Sequence, residues 1–176
     1  MRKTKIQILT RCALFAALTA VFSQIALPIG PVPVNLATLA VFCAGALLGP
    51  THGALSMAIW ALLGVFGLPV FSLFRSGLSA LAGPTGGYIV GYMPAAYVTG
   101  LLTRRVDNDR RALLYPLCMF AGMLTYFAPG LVWFMYSTGT GLRSALLICV
   151  FPFLPGDLIK IALATLLAIR LRRRAA

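Results

Sequence analysis

"FPFLPGDLIKIALATLLAIRLRRR", residues 151–174, decides how this chain is read. From Pro155 to Arg174 it offers 20 residues. At about 1.5 Å per residue that makes a helix of about 30 Å, the thickness of a bilayer core. Pro155 suits the first turn of such a helix, where its missing N–H costs nothing. Arg170, Arg172, Arg173 and Arg174 close the apolar run as basic residues do at a cytoplasmic membrane face. Two charges at its head break the pattern, Asp157 and Lys160. Residues three apart share a helix face. A charge deep in a bilayer costs on the order of 2.5–3.5 kcal/mol on insertion scales, so such residues face a cavity or a partner. A first-turn aspartate also suits the helix dipole. That simpler reading explains Asp157 but not Lys160, whose cation opposes the dipole there. The pair therefore reads as a site in which a carboxylate accepts N–H bonds and an ammonium donates to a carbonyl.

The rest of the chain fits a membrane. Of 176 residues, 60% are hydrophobic and 10% charged, and the mean hydropathy is +0.94. The length suggests a single domain, residues 1–176. The net charge of +12 raises the question of nucleic acid, and the placement of the charge answers it. Arg2, Lys3, Lys5 and Arg11 lie at the N-terminus, Arg104, Arg105, Arg110 and Arg111 in one central loop, and four arginines at the C-terminus. Twelve of 15 Lys and Arg thus fall in three clusters between apolar segments, the pattern of cytoplasmic loops rather than of a nucleic-acid face. Cys12, Cys43, Cys118 and Cys149 are scattered through apolar segments, with no C-x-x-C pair, and read as small buried hydrophobes.

Punctuation by proline and glycine divides the chain into six predicted spans: 7–27, 35–48, 53–70, 86–103, 112–136 and 155–174. Residues 142–151 are apolar but too short to cross, and read as an interfacial segment before the last span. The expected class is an all-α membrane protein of six transmembrane helices with both termini cytoplasmic. The basic N-terminus followed by an apolar run has the polarity of a signal peptide, but the run is longer than the usual core and has no clear cleavage site, so it reads as a retained first helix. In that helix Ala13 and Ala17, and Ala16 and Ala20, form small-xxx-small rows that let helices approach closely. The loops expected outside hold only Arg75 and Arg143 as charges.

Catalysis needs convergent ionisable groups, and the chain has one histidine and three acids. His52 is expected in a cytoplasmic turn with no partner acid near it. Asp107, Asn108 and Asp109 lack the glycine and distal glutamate of a calcium loop. No phosphate loop or metal-spaced cluster occurs, so no cofactor is expected.

"IALPIGPVPVNLATLAVFCAGALLGPTHGALSMAIWALLGVFGLPVF" (25–71), "LAGPTGGYIVGYMPAA" (81–96) and "FPFLPGDLIKIALATLLA" (151–168) together resemble the biotin-specific S component (BioY family) of energy-coupling-factor vitamin transporters. The resemblance implies a six-helix protein that binds biotin near the outer face and docks on a transmembrane coupling subunit carrying two cytoplasmic ATPases. It implies that Ala13 and Ala17 face the coupling subunit and that Asp157 and Lys160 belong to a ligand-binding D-x-x-K. The family's first outer loop usually reads P-V-P-x-T-L-Q-T-L; here Asn35 replaces the threonine and Ala37 the glutamine, leaving Asn35 as a candidate contact. Biotin carries a ureido ring with one carbonyl and two N–H groups, an apolar thioether ring and a carboxylate tail. Asp157 suits the ureido N–H groups. Lys160 suits either the ureido oxygen or the tail carboxylate; Arg75 suits equally that carboxylate or a place anchoring its loop at the lipid headgroups. Tyr88 is a candidate pocket residue, beside glycines expected to let backbone approach the ligand. Trp60 and Trp133 are candidates equally for stacking on the bicycle and for interfacial or bundle positions. Alternatives are another vitamin as cargo, a solitary carrier without ATPases, and an intramembrane enzyme built on Asp157 and Lys160, which would need a second acid or a nucleophile at the same depth.

Overall fold

Pro28 ends the first helix early. Residues preceding a proline avoid helical conformation, and in the computed structural model α1 (Arg2–Gln24) stops short of the expected residue 27. Ala26–Leu27 (β1) instead pairs antiparallel with Val34–Asn35 (β2), Ala26 opposite Asn35, as a hairpin around "PIGPVP". The structure describes the backbone of residues 2–175 and the side chains of 5–107 and 109–172. The side chains of Arg2, Lys3, Asn108, Arg173 and Arg174, all part of the sequence reading, lie outside the described residues.

Asn35 turns the chain toward the next helix, which begins two residues later than expected. Its Oδ1 accepts a bond from the Ala37 amide at 3.0 Å, and α2 (Ala37–Leu48) follows. Gly49 makes the corner to α3 (Pro50–Val65) at φ +83°, a conformation that a side chain disfavours. Pro50 opens α3 at a position where no amide is needed, so this helix runs from 50 to 65 rather than from 53 to 70. Gly67 at φ +99° prevents its continuation. His52 accordingly lies in the first turn of α3, not in a turn between helices; its carbonyl accepts from Ser56 Oγ at 2.9 Å. The Gly/Ser-rich stretch hides a short helix, α4 (Leu78–Ala82). α5 (Gly86–Thr103) matches its expected bounds, and α6 (Arg111–Thr138) exceeds its bounds by three residues in all. α7 (Leu142–Cys149) meets α8 (Phe153–Ala175) at a 46° bend.

α5 is the central helix, packed on α2, α3 and α6; α8 packs on α2 and α6, and α1 on α2 and α3. Small residues permit these approaches. A Cβ on Gly45 would lie 2.5 Å from Ala96 O, and one on Gly100 2.5 Å from Gly49 C. The interior holds Phe42, Trp60, Tyr115, Tyr126 and Phe134. The outside is apolar as well: Leu113, Leu117, Leu124 and Val132 on α6, and Leu158, Ile159, Leu163 and Leu166 on α8, are exposed. Apolar patches of that extent face lipid or a partner. Among the described residues, two helices, Lys5–Gln24 and Arg111–Thr138, are long and apolar enough to cross a bilayer. Counting α7 and α8 as one bent span makes three. The count of six is thus not reproduced by length and composition: α2 and α3 have only 12 and 16 residues, and α5, with 18, is long enough but not apolar enough.

One end of the bundle collects the basic residues. Arg172, near the end of α8, donates to Ala46 O at the end of α2 and lies 5.7 Å over the Tyr115 ring at the start of α6. Cys12 Sγ reaches His52 O at 3.5 Å, tying the front half of α1 to the same end.

Candidate functional site

The opposite end is built on an aspartate. Asp157, on the first turns of α8, is 0% exposed, and Lys160 one turn later is 5% exposed. Lys160 Nζ donates to Asp157 Oδ1 at 2.8 Å. Thr38 Oγ1, from α2, donates to the same oxygen at 3.1 Å. The Tyr126 hydroxyl, from α6, donates to Oδ2. A lone buried carboxylate costs several kcal/mol; here three donors from three helices offset that cost. Most of the acceptor capacity of Asp157 is thereby used within the protein. Lys160 differs: an ammonium has three N–H donors, and Asp157 is its one acceptor among the described residues.

Asp157 and Lys160 form the floor of a pocket with an empty volume of about 620 Å³, its open mouth included. The walls are aromatic. Trp60 and Tyr92 stack at 5.5 Å between centroids, and Tyr92 meets Tyr126 edge-on at 5.7 Å. Tyr88 stacks on Phe153 at 6.3 Å, and its hydroxyl donates to Cys149 O at 3.2 Å. Val32 and Pro33 of the first hairpin and Phe71, Ser72 and Arg75 of the α3–α4 connection complete the lining. Arg75 is exposed, at the mouth. The pocket thus offers flat aromatic walls, unused N–H donors on Lys160 and a cation at the mouth.

All five residues singled out for ligand contact, Asn35, Arg75, Tyr88, Asp157 and Lys160, line this one pocket. Asn35 is already engaged there, its Nδ2 donating to Ser72 Oγ. Trp60 lines the pocket too, but Trp133 does not; its Nε1 donates to Gly83 O at 2.9 Å. The glycines before Tyr88 do not serve the ligand as expected. A Cβ on Gly86 would overlap Leu81 O, and one on Gly87 would lie 2.4 Å from Pro129 O, so they let helices touch instead. Ala13 and Ala17 lie far from the pocket residues in sequence and are exposed, while Ala16 is buried on the other face of α1. The four cysteines are free and buried, and no group of three metal-ligating side chains occurs among the described residues.

Sequence reading missed Thr38, Tyr126, Tyr92 and Ser72. Thr38 and Tyr126 stand 119 and 31 residues from Asp157, on separate helices, so nothing local marks them. Tyr92 did leave a signal, since it lies four residues after Tyr88 and such positions share a helix face.

A family model described as BioY family matches residues 1–176. The chain is 39% identical to a probable biotin transporter BioY of Pyrococcus horikoshii, over 91% of this chain and 93% of that one. It is 37% identical to a biotin transporter BioY of Thermotoga maritima, over 94% and 95%. Its fold superposes with a TM-score of 0.91 on the crystal structure of the S-component for biotin from an ECF-type ABC transporter. That match, at 27% identity, covers 98% of this chain and 94% of the other.

Proposed function

The chain belongs to the BioY family of multi-pass cell-membrane transport components, which are not enzymes, and on that premise we propose that its pocket captures biotin for uptake. The supporting observation is the inventory at the floor. Asp157 is occupied by Thr38, Tyr126 and Lys160, while Lys160 retains two N–H donors. The ureido ring enters first, and its oxygen accepts from Lys160. Asp157 acts mainly by holding that ammonium, and its remaining lone pair meets a ureido N–H. The bicycle lies against Trp60 and Tyr92, and the carboxylate tail meets Arg75 at the mouth, where a guanidinium binds it through paired hydrogen bonds.

The finer assembly follows from the same reading. Six helices, α1, α2, α3, α5, α6 and α8, span the membrane with both termini cytoplasmic. This is supported by the convergence of Arg172 with the starts and ends of α6 and α2, which gathers basic residues at the end away from the pocket. The exposed Ala13 and Ala17 dock on a transmembrane coupling subunit served by two ATPases. No second reading of the cargo has an observation in its favour. A competition panel tests the choice: biotin displaces bound radiolabelled biotin, whereas thiamine and riboflavin at the same concentration do not. Equal displacement by either would transfer the site to another vitamin.

A further inference from the structure

The segment after α3 crosses the pocket and carries three of its lining residues, Phe71, Ser72 and Arg75. It is not held by its own backbone alone. Phe71 N donates to Arg75 O at 3.1 Å, closing a tight loop in which Leu73 and Phe74 take φ values of +61° and +58°. Two consecutive side-chain-bearing residues in the left-handed region disfavour the loop unless outside contacts hold it. Those contacts converge on one side chain from α1. Gln24 Nε2 lies 3.1 Å from both Pro69 O and Phe71 O, and its Oε1 accepts the Phe74 amide at 2.9 Å. A single carboxamide thus satisfies both ends of the loop, and the Oε1 bond fixes one of the two left-handed residues. Beneath the loop, Trp60 Nε1 donates to Val70 O at 3.1 Å, and the Trp60 ring meets Phe71 edge-on at 5.2 Å.

We propose that Gln24 is a positioning residue: it latches the 69–75 segment closed over the pocket and thereby sets how fast the ligand leaves. The inference rests on the biotin reading only for the identity of the ligand. Gln24 touches no pocket space; it acts through Phe71, Ser72 and Arg75. Gln24→Ala removes all the latch bonds. Gln24→Glu keeps an acceptor for Phe74 but presents carboxylate oxygens to the Pro69 and Phe71 carbonyls in place of donors.

Trp60 reports on the latch directly, because the chain has two tryptophans and Trp133→Phe leaves it alone. In that background, purified full-length protein carrying either Gln24 variant should release biotin at least tenfold faster in stopped-flow chase experiments, about 1.4 kcal/mol. Its ligand-free Trp60 emission should shift to the red as water reaches the indole. In the unsubstituted chain, the Phe74 amide should exchange with deuterium slowly. Release within twofold of the parent, unshifted emission, or free exchange at Phe74 would overturn the latch. The emission and exchange readings need no ligand, so absence of biotin binding by the parent chain would count against the cargo and not against the latch.

Discussion

At the residue scale, Asp157 and Lys160 stabilise the fold only together. Replacing one partner of a buried pair leaves an uncompensated charge and typically costs 3–5 kcal/mol. Asp157→Ala should therefore lower the detergent-solubilised melting temperature more than the double change Asp157→Ala with Lys160→Met does. A double variant no more stable than the single one would contradict the pairing. Tyr126→Phe removes one bond to the carboxylate, and about 1.5–3 kcal/mol of stability is at stake in a bond of that kind. Lys160→Ala should weaken biotin binding at least tenfold, about 1.4 kcal/mol, measured by equilibrium binding; unchanged affinity would remove Lys160 from the site. The sequence pointed to the pair because two opposite charges a turn apart are costly in an apolar run. It did not point to Thr38 or Tyr126, because hydroxyls are inexpensive in membrane helices and their partner lies on another helix.

At the element scale, the small-residue contacts are the structural commitment. Gly45 faces Ala96 O and Thr99 Cβ at 2.5 and 3.0 Å from where a Cβ would stand. Gly45→Ala should cost about 1–3 kcal/mol by overpacking α2 against α5, read from thermal unfolding. Gly30→Ala, with nothing within 4 Å, is the matched control and should have little effect. On α1, leucines at Ala13 and Ala17 should leave biotin affinity intact and abolish co-purification with the coupling subunit; retained co-purification would place docking elsewhere. Element boundaries were legible where a single residue type enforces them, as at the start of α5 after Gly83-Pro84-Thr85. They were displaced where hydrophobicity continued through a turn. Phe66, Leu68 and Val70 read as helix, yet Gly67 at φ +99° ends α3 before them. α4 was missed because glycine and serine composition conceals a helix of five residues.

At the scale of the whole molecule, two ends divide the work. The floor and mouth of the pocket lie at one end, and Arg172, Tyr115 and the close of α2 meet at the other. α1 extends between them, with Ala13 and Ala17 exposed along it and Gln24 at its pocket end. That polarity predicts that tags on both termini are accessible only from the cytoplasmic side of intact cells; a tag labelled from outside would reverse the topology. The architecture was legible as an apolar bundle with basic loops and a cavity at the head of the last span, but the segments that close that cavity were not, because they depend on how the hairpin and the 69–75 segment meet α8 across the pocket. Ligand capture depends on that enclosure. Isothermal titration of the purified chain with biotin tests it most directly. Saturable binding of one biotin per chain, weakened at least tenfold in Lys160→Ala, is the expected result. Absence of saturable binding by the folded chain, or equal binding by the variant, would contradict it.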